Sequence, residues 1–184
     1  AGADAARPSP VRKWRLLGPF AIGKNELDGE PWLRSNASEL VGGGVVRPRK
    51  VTADAEGKVS VDWPDVQWQS LVNAVGGHEV LEWQALARGA FKAPSDGLAI
   101  VSCTGVAAFT LDALATPFVG DQYRSGFPGH PVHLAAGTHR ITIRLRAKLH
   151  GQFACAVELG ADGRPRLAGG QMLHAPDVVA GPDG

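Results

Sequence analysis

Thr138-His-Arg-Ile-Thr-Ile-Arg-Leu-Arg146 decides the fold class. Ile141, Ile143 and Leu145 are apolar, whereas Arg140, Thr142, Arg144 and Arg146 between them are polar or charged. That period of two marks a strand with one buried face and one solvated face. Val106-Ala-Ala-Phe-Thr-Leu-Asp112 and Gln152-Phe-Ala-Cys-Ala-Val-Glu-Leu159 on either side carry the same alternation. Working outward, further strands are expected at residues 45–46 with 51–52, 58–61, 79–90, 97–103, 106–112, 130–134, 139–149 and 153–159. Another starts at Lys13 and is expected to stop at the breaker Gly18-Pro19. Residues 68–75 would form a helical turn or two, with Leu71, Val72 and Val75 on one side. Many short strands between turn signals make an all-β sandwich.

Length and composition agree with one such domain. The 184 residues can bury a core of their own, and the 24 glycines and 13 prolines are scattered without period, as turns require. The expected organisation is a flexible segment over 1–13, a β-sandwich over 14–160, and a C-terminal extension or linker over 161–184. A formal net charge of +1 is too small to draw the whole molecule to nucleic acid, and no apolar run approaches the roughly 20 residues that span a bilayer. The expected partners therefore exclude nucleic acid and membrane insertion. The Ala-rich start without Met fits a processed, exported protein or an excised domain.

Cys103 and Cys155 each lie in an apolar strand-like run, where a free thiol packs as a small hydrophobe. Buried thiols are the expectation; the alternative, a bridge, requires Cβ atoms within about 4 Å of one another. Asn36-Ala-Ser38 matches the N-glycosylation pattern, whose content is exposure of Asn36 in a secreted eukaryotic protein.

The chain offers no recognisable catalytic motif. Tyr123-Arg-Ser-Gly-Phe127 lacks the flanking glycines of a nucleophile elbow, so Ser125 has no evident base. His78-Glu79 lacks the second His of a zincin, and Gly42-Gly-Gly44 does not lead into a phosphate-binding Lys. His130 and His133 flank Pro131-Val132 without the further ligands that zinc needs. No metal or other cofactor is expected, although Asp54, Asp62, Asp65 and Asp121 are of the type that holds Ca²⁺ from loops; turns and caps use the same residues.

Two features suit binding. Arg140, Arg144, Arg146, Lys148 and His150 share one face if the strand runs unbroken to His150, with about 7 Å between alternate residues. Such a stripe would meet an acidic polysaccharide, a nucleic-acid backbone or an acidic neighbouring domain; the plain alternative is a solvated outer face. Trp32, Trp63, Trp68 and Tyr123 stand near turn signals, where aromatic faces stack on sugar rings or close the edge of the sandwich.

Trp14-Arg-Leu-Leu-Gly-Pro-Phe-Ala-Ile-Gly-Lys-Asn-Glu-Leu-Asp-Gly-Glu-Pro31 resembles the opening of the galactose-binding-like, jelly-roll accessory domains that precede catalytic domains in some secreted hydrolases. The resemblance continues through Glu82-Trp-Gln-Ala-Leu-Ala-Arg-Gly-Ala-Phe91, Val101 to Asp112, Phe118-Val-Gly-Asp-Gln-Tyr-Arg-Ser-Gly126 and Pro131 to His139. It is greatest to the N-terminal region of prolyl-oligopeptidase-like (family S9) α/β-hydrolase proteins. It implies a jelly-roll β-sandwich with a non-catalytic accessory role, packed on or positioning a hydrolase domain of a longer polypeptide. The alternative is a carbohydrate-binding module for a polysaccharide or glycoprotein glycan. Domains of this kind bind through loops, which points to Asp121, Tyr123 and Arg124 with Trp63 or Trp68 as the ligand-binding set. A structural turn over 120–126 is the competing use of that loop.

Overall fold

Alternation along the chain resolves into two antiparallel sheets packed face to face in a computed structural model, which describes residues 8–21, 36–66, 69, 82–112, 118–119, 129–148 and 150–159. The first sheet contains β1 (Ser9–Pro10), β6 (Lys58–Val61), β8 (Gly97–Thr104), β11 (His130–Leu134) and β13 (Gly151–Leu159). The second contains β2 (Lys13–Ala21), β5 (Arg49–Thr52), β7 (Trp83–Ala93), β9 (Ala108–Leu111), β10 (Phe118–Val119) and β12 (Gly137–Ala147), in the order β10-β9-β12-β7-β2-β5. A small hairpin pairs β3 (Asn36–Ala37) with β4 (Val45–Val46). This is a β-sandwich, and among the described residues no helix is long and apolar enough to cross a membrane.

The core lies between the inner faces. Ile141, Ile143 and Leu145 of β12 are buried with Trp14, Leu16, Ala85, Ala87, Phe109 and Leu111 from the same sheet, against Val59, Val101, Phe153 and Val157 from the other. The edge of Trp14 meets the ring of Phe153 at 5.0 Å between centroids, an arrangement that adds to area burial. One edge of β13 is shared end to end, with β6 along Gly151–Ala154 and β1 along Ala156–Val157. Val11 is buried next to β1 and donates its N–H to the Cys155 carbonyl at 2.9 Å, so the sandwich includes residues ahead of Trp14.

Three expectations are corrected. Cys103 and Cys155 are joined in a disulfide, because register sets them directly opposite on β8 and β13 with Cα atoms 4.1 Å apart. The strand from Lys13 does not stop at Gly18-Pro19 but passes through it to Ala21, since a bulge between Leu17 and Phe20 absorbs the irregularity. A side chain at Gly18 would stand 2.7 Å from the Ala85 Cβ, which explains the glycine at this close approach. Finally, β12 ends at Ala147, so the pleat does not extend the basic stripe to Lys148 or His150. The expected helical turns at 68–75 lie outside the described residues apart from Gln69.

Along β2, Leu16 enters the main core while Leu17 faces the opposite side of the sheet. There Leu17, Phe20, Leu86 and Val46 form a second buried cluster, with Val41 packed against it. Ser38 fixes the covering segment by donating its hydroxyl to the Pro19 carbonyl at 2.6 Å. The outer face of the six-stranded sheet is therefore capped at one end, and among the described residues nothing covers the other.

Candidate binding face

At the other end, strand register assembles cations that are far apart in sequence. Thr142 pairs Arg88, Arg88 pairs Arg15, and Arg15 pairs Lys50, all on the face opposite the core. Arg88, Arg15 and Lys50 thus stand abreast on three neighbouring strands about 4.8 Å apart. One pleat along, about 7 Å away, Arg140 pairs Ala90, and Lys13, next to the Trp14 that pairs Gly89, lies beyond Ala90 and opposite Thr52.

These rows line a groove of about 510 Å³. Five cations face it, namely Lys13, Arg15, Lys50, Arg88 and Arg140, and no described residue lining it is acidic. Arg88 is half-buried and its Nε donates to Thr142 Oγ1 at 3.3 Å, while the other four are exposed. Among the described residues no carboxylate pairs with Lys13, Arg15, Lys50 or Arg140. Like charges directly abreast on a sheet, as Arg15 and Lys50 are, repel one another.

The expected stripe is only partly in this groove. Arg140 lines it, whereas Arg144 is exposed beside the second apolar cluster, opposite Leu86. Arg146 turns to Glu82, with Nε 2.6 Å from Oε2. Lys148 is exposed after the end of the strand, and His150 beyond it places Nδ1 2.6 Å from Asp62 Oδ1. Lys13, Arg15, Lys50 and Arg88 were not singled out in the sequence. The one signal was the exposed-buried alternation of Lys13-Trp14-Arg15-Leu16, and nothing in it told which strands lie beside it.

Trp63 is half-buried at another corner. The Arg49 guanidinium lies 4.7 Å from its ring centroid, and Trp83 meets it edge to face at 5.4 Å. The indole N–H groups of Trp63 and Trp83 are buried without a hydrogen-bond partner among the described residues. Trp68, Asp121, Tyr123 and Arg124 lie outside the described residues, as do Trp32 and Ser125. Asp54 Oδ1 accepts from the backbone N–H groups of Glu56 and Lys58 at 3.0 and 2.8 Å, a turn-forming role. His130 and His133 are an odd number of residues apart on β11 and so take opposite faces. Among the described residues no three metal-ligating side chains cluster.

His139 sits in a closed hydrogen-bond clamp. It is buried, stacks on Phe91, and places Nδ1 2.8 Å from Asp112 Oδ2 and Nε2 2.8 Å from the Ala135 carbonyl. Both neighbours accept, so both ring nitrogens donate only in the imidazolium form. The Asp112 hydrogen bond, then the Ala135 carbonyl, raise its pKa above the ordinary 6.5. Asp112 is committed further, since its Oδ1 accepts the Arg140 N–H at 2.8 Å. This clamp ties the start of β12 to the end of β9, behind Arg140.

No protein-family model matches the chain, and no curated protein matches it. Among solved structures, it is similar to a β-glucosidase from Kluyveromyces marxianus in complex with glucose, at 13% identity and a TM-score of 0.45. The match covers 83% of this chain and 17% of that one.

Proposed function

We propose that this chain is a non-catalytic accessory module of a longer, exported polypeptide with a hydrolase domain, and that it serves that domain by binding carbohydrate. The fold we assign to it is a galactose-binding-like jelly roll. The observation that carries the reading is the groove on the outer face of the six-stranded sheet. Its volume of about 510 Å³ suits a small ligand, and its Lys, Arg and Thr side chains supply donors for hydroxyl or acid oxygens. The Cys103–Cys155 bridge supports export, since disulfides persist in oxidising compartments. Asp121, Tyr123 and Arg124 with Trp63 or Trp68 are the candidate loop contacts of this reading, which requires no metal or cofactor.

The test is electrophoresis of the 184-residue chain through gels that contain neutral or acidic glycans. Retardation by at least one glycan is expected, and mobility unchanged across both classes would end the carbohydrate reading.

A second reading, that the chain packs on and positions a hydrolase domain of the prolyl-oligopeptidase-like type, follows from the resemblance of residues 14–31. One observation bears on its form. Val45 is the only large exposed hydrophobic among the described residues, so docking through this surface would be polar, as contacts between domains of one chain commonly are. Salt-sensitive association with the hydrolase domain expressed separately is the expected result, and no association at low salt would remove this reading.

A further inference from the structure

We propose that the groove formed by β2, β5, β7 and β12 is a site for an anionic oligosaccharide, one bearing uronate or sulfate groups. The inference rests on the carbohydrate reading above and narrows it to a class of ligand. Its basis is the two-dimensional layout of charge. Arg15, Arg88 and Lys50 form one row across the strands, and Arg140 and Lys13 flank Ala90 in the next. A neutral sugar needs donors and acceptors in mixture, whereas these five side chains are donors only. Carboxylate and sulfate oxygens are acceptors only, and guanidinium groups hold such oxygens in two-point contacts.

The local backbone prepares the site. Ala90 between Arg140 and Lys13 leaves a low floor, so that cations rise on both sides of it. Thr142 holds the Arg88 guanidinium at 3.3 Å, and the Asp112 carboxylate fixes the Arg140 backbone from below through the 2.8 Å bond to its N–H. An extended chain with repeated negative charges would lie across the strands, where successive cations are about 4.8 Å apart, and would relieve the repulsion among them.

Single-stranded nucleic acid fits less well. It binds by stacking bases on exposed aromatic faces, yet no aromatic side chain is among the large exposed hydrophobics of the described residues.

The test uses the whole 184-residue chain and four probes in affinity electrophoresis: heparin, polygalacturonate, neutral dextran, and polyglutamate. Heparin or polygalacturonate should retard the chain, and the effect should weaken as salt screens the exposed charges. Arg15→Gln and Lys50→Gln should each weaken binding about tenfold, the worth of one charge-assisted contact. Lys58→Gln, on β6 of the other sheet, should leave it unchanged, and unaltered thermal midpoints would show that the variants fold. Retardation by dextran alone would overturn the anionic assignment while leaving the carbohydrate reading in place. Retardation by polyglutamate as strong as by the glycans would overturn it in favour of a general polyanion surface. No retardation by any probe would overturn both.

Discussion

Reducing the Cys103–Cys155 disulfide should cost this domain about 4 kcal/mol. The bridge closes a loop of 52 residues, and the chain-entropy relation for a loop of that length gives about 14 cal/mol/K, or about 4 kcal/mol at 25 °C. Both sulfurs sit in the core between directly opposed strands, so the folded state retains its register when the bond is absent. The loss therefore arises in the unfolded chain, which regains the freedom that the closed loop denied it. For a chain of this size each kcal/mol corresponds to about 2–4 °C, which predicts a fall in thermal midpoint of roughly 8–16 °C. Urea denaturation of protein purified from an oxidising compartment, with and without reductant, measures the free energy directly. Cys103→Ala with Cys155→Ala should lose at least as much, because a small cavity adds to the entropy term. The slope of the urea transition should steepen on reduction, as a longer unfolded chain exposes more surface. A loss below about 1 kcal/mol, with no change of slope, would refute the entropic account. Two titratable thiols in the unreduced, denatured protein would refute the bridge itself.

Other perturbations test other parts of the structure. His139 has a raised folded pKa, so its stabilisation is complete below 6.5 and is lost as pH rises through the higher folded value. Thermal midpoints should fall over that upper range, and Asp112→Asn should flatten the profile; Asn keeps the backbone because it tolerates the positive φ of 49° at this position. A pH-independent midpoint in the parent chain would contradict the imidazolium clamp. A Cβ at Gly105 would come 2.1 Å from the Gln152 carbonyl oxygen, at a φ of +74°, so Gly105→Ala should cost about 2 kcal/mol or more. Gly44 has a similar φ of +68° and nothing within 4 Å, so Gly44→Ala should cost only about 1 kcal/mol; equal losses in urea denaturation would show that the contact with Gln152 is not what counts.

The contrast between strands and groove shows what a sequence can carry. Lys58–Val61 and His130–Leu134 were legible to the residue, because alternation and flanking turn residues are local. The inward Ile141, Ile143 and Leu145 followed from the same periodicity. Gly18-Pro19 misled because a breaker within a paired strand and one at its end have the same local sequence; only β7 alongside distinguishes a bulge from a stop. The disulfide was illegible for a related reason, since the offset that sets Cys155 against Cys103 belongs to the pairing of two strands. The groove demands more again. Arg15, Lys50, Arg88 and Arg140 come from four strands, and no property of one strand announces the row they form.

That row becomes intelligible when the two ends of the same sheet face are compared. Around Leu17, Phe20 and Leu86 the outer face is apolar, and the segment anchored by Ser38 covers it. Burial there offsets the cost of ordering the covering segment. Two residues earlier on β2 the outward position is Arg15, set between Arg88 and Lys50, and Thr in place of any of them would suit a strand and relieve repulsion. Folding alone therefore accounts for the capped end and not for the other. A sheet needs one buried face to be stable, and this sheet has that in its core. Among the described residues nothing covers the half that carries Arg15, Arg88 and Lys50, and the repulsion among cations set abreast there is what the proposed anionic ligand would offset.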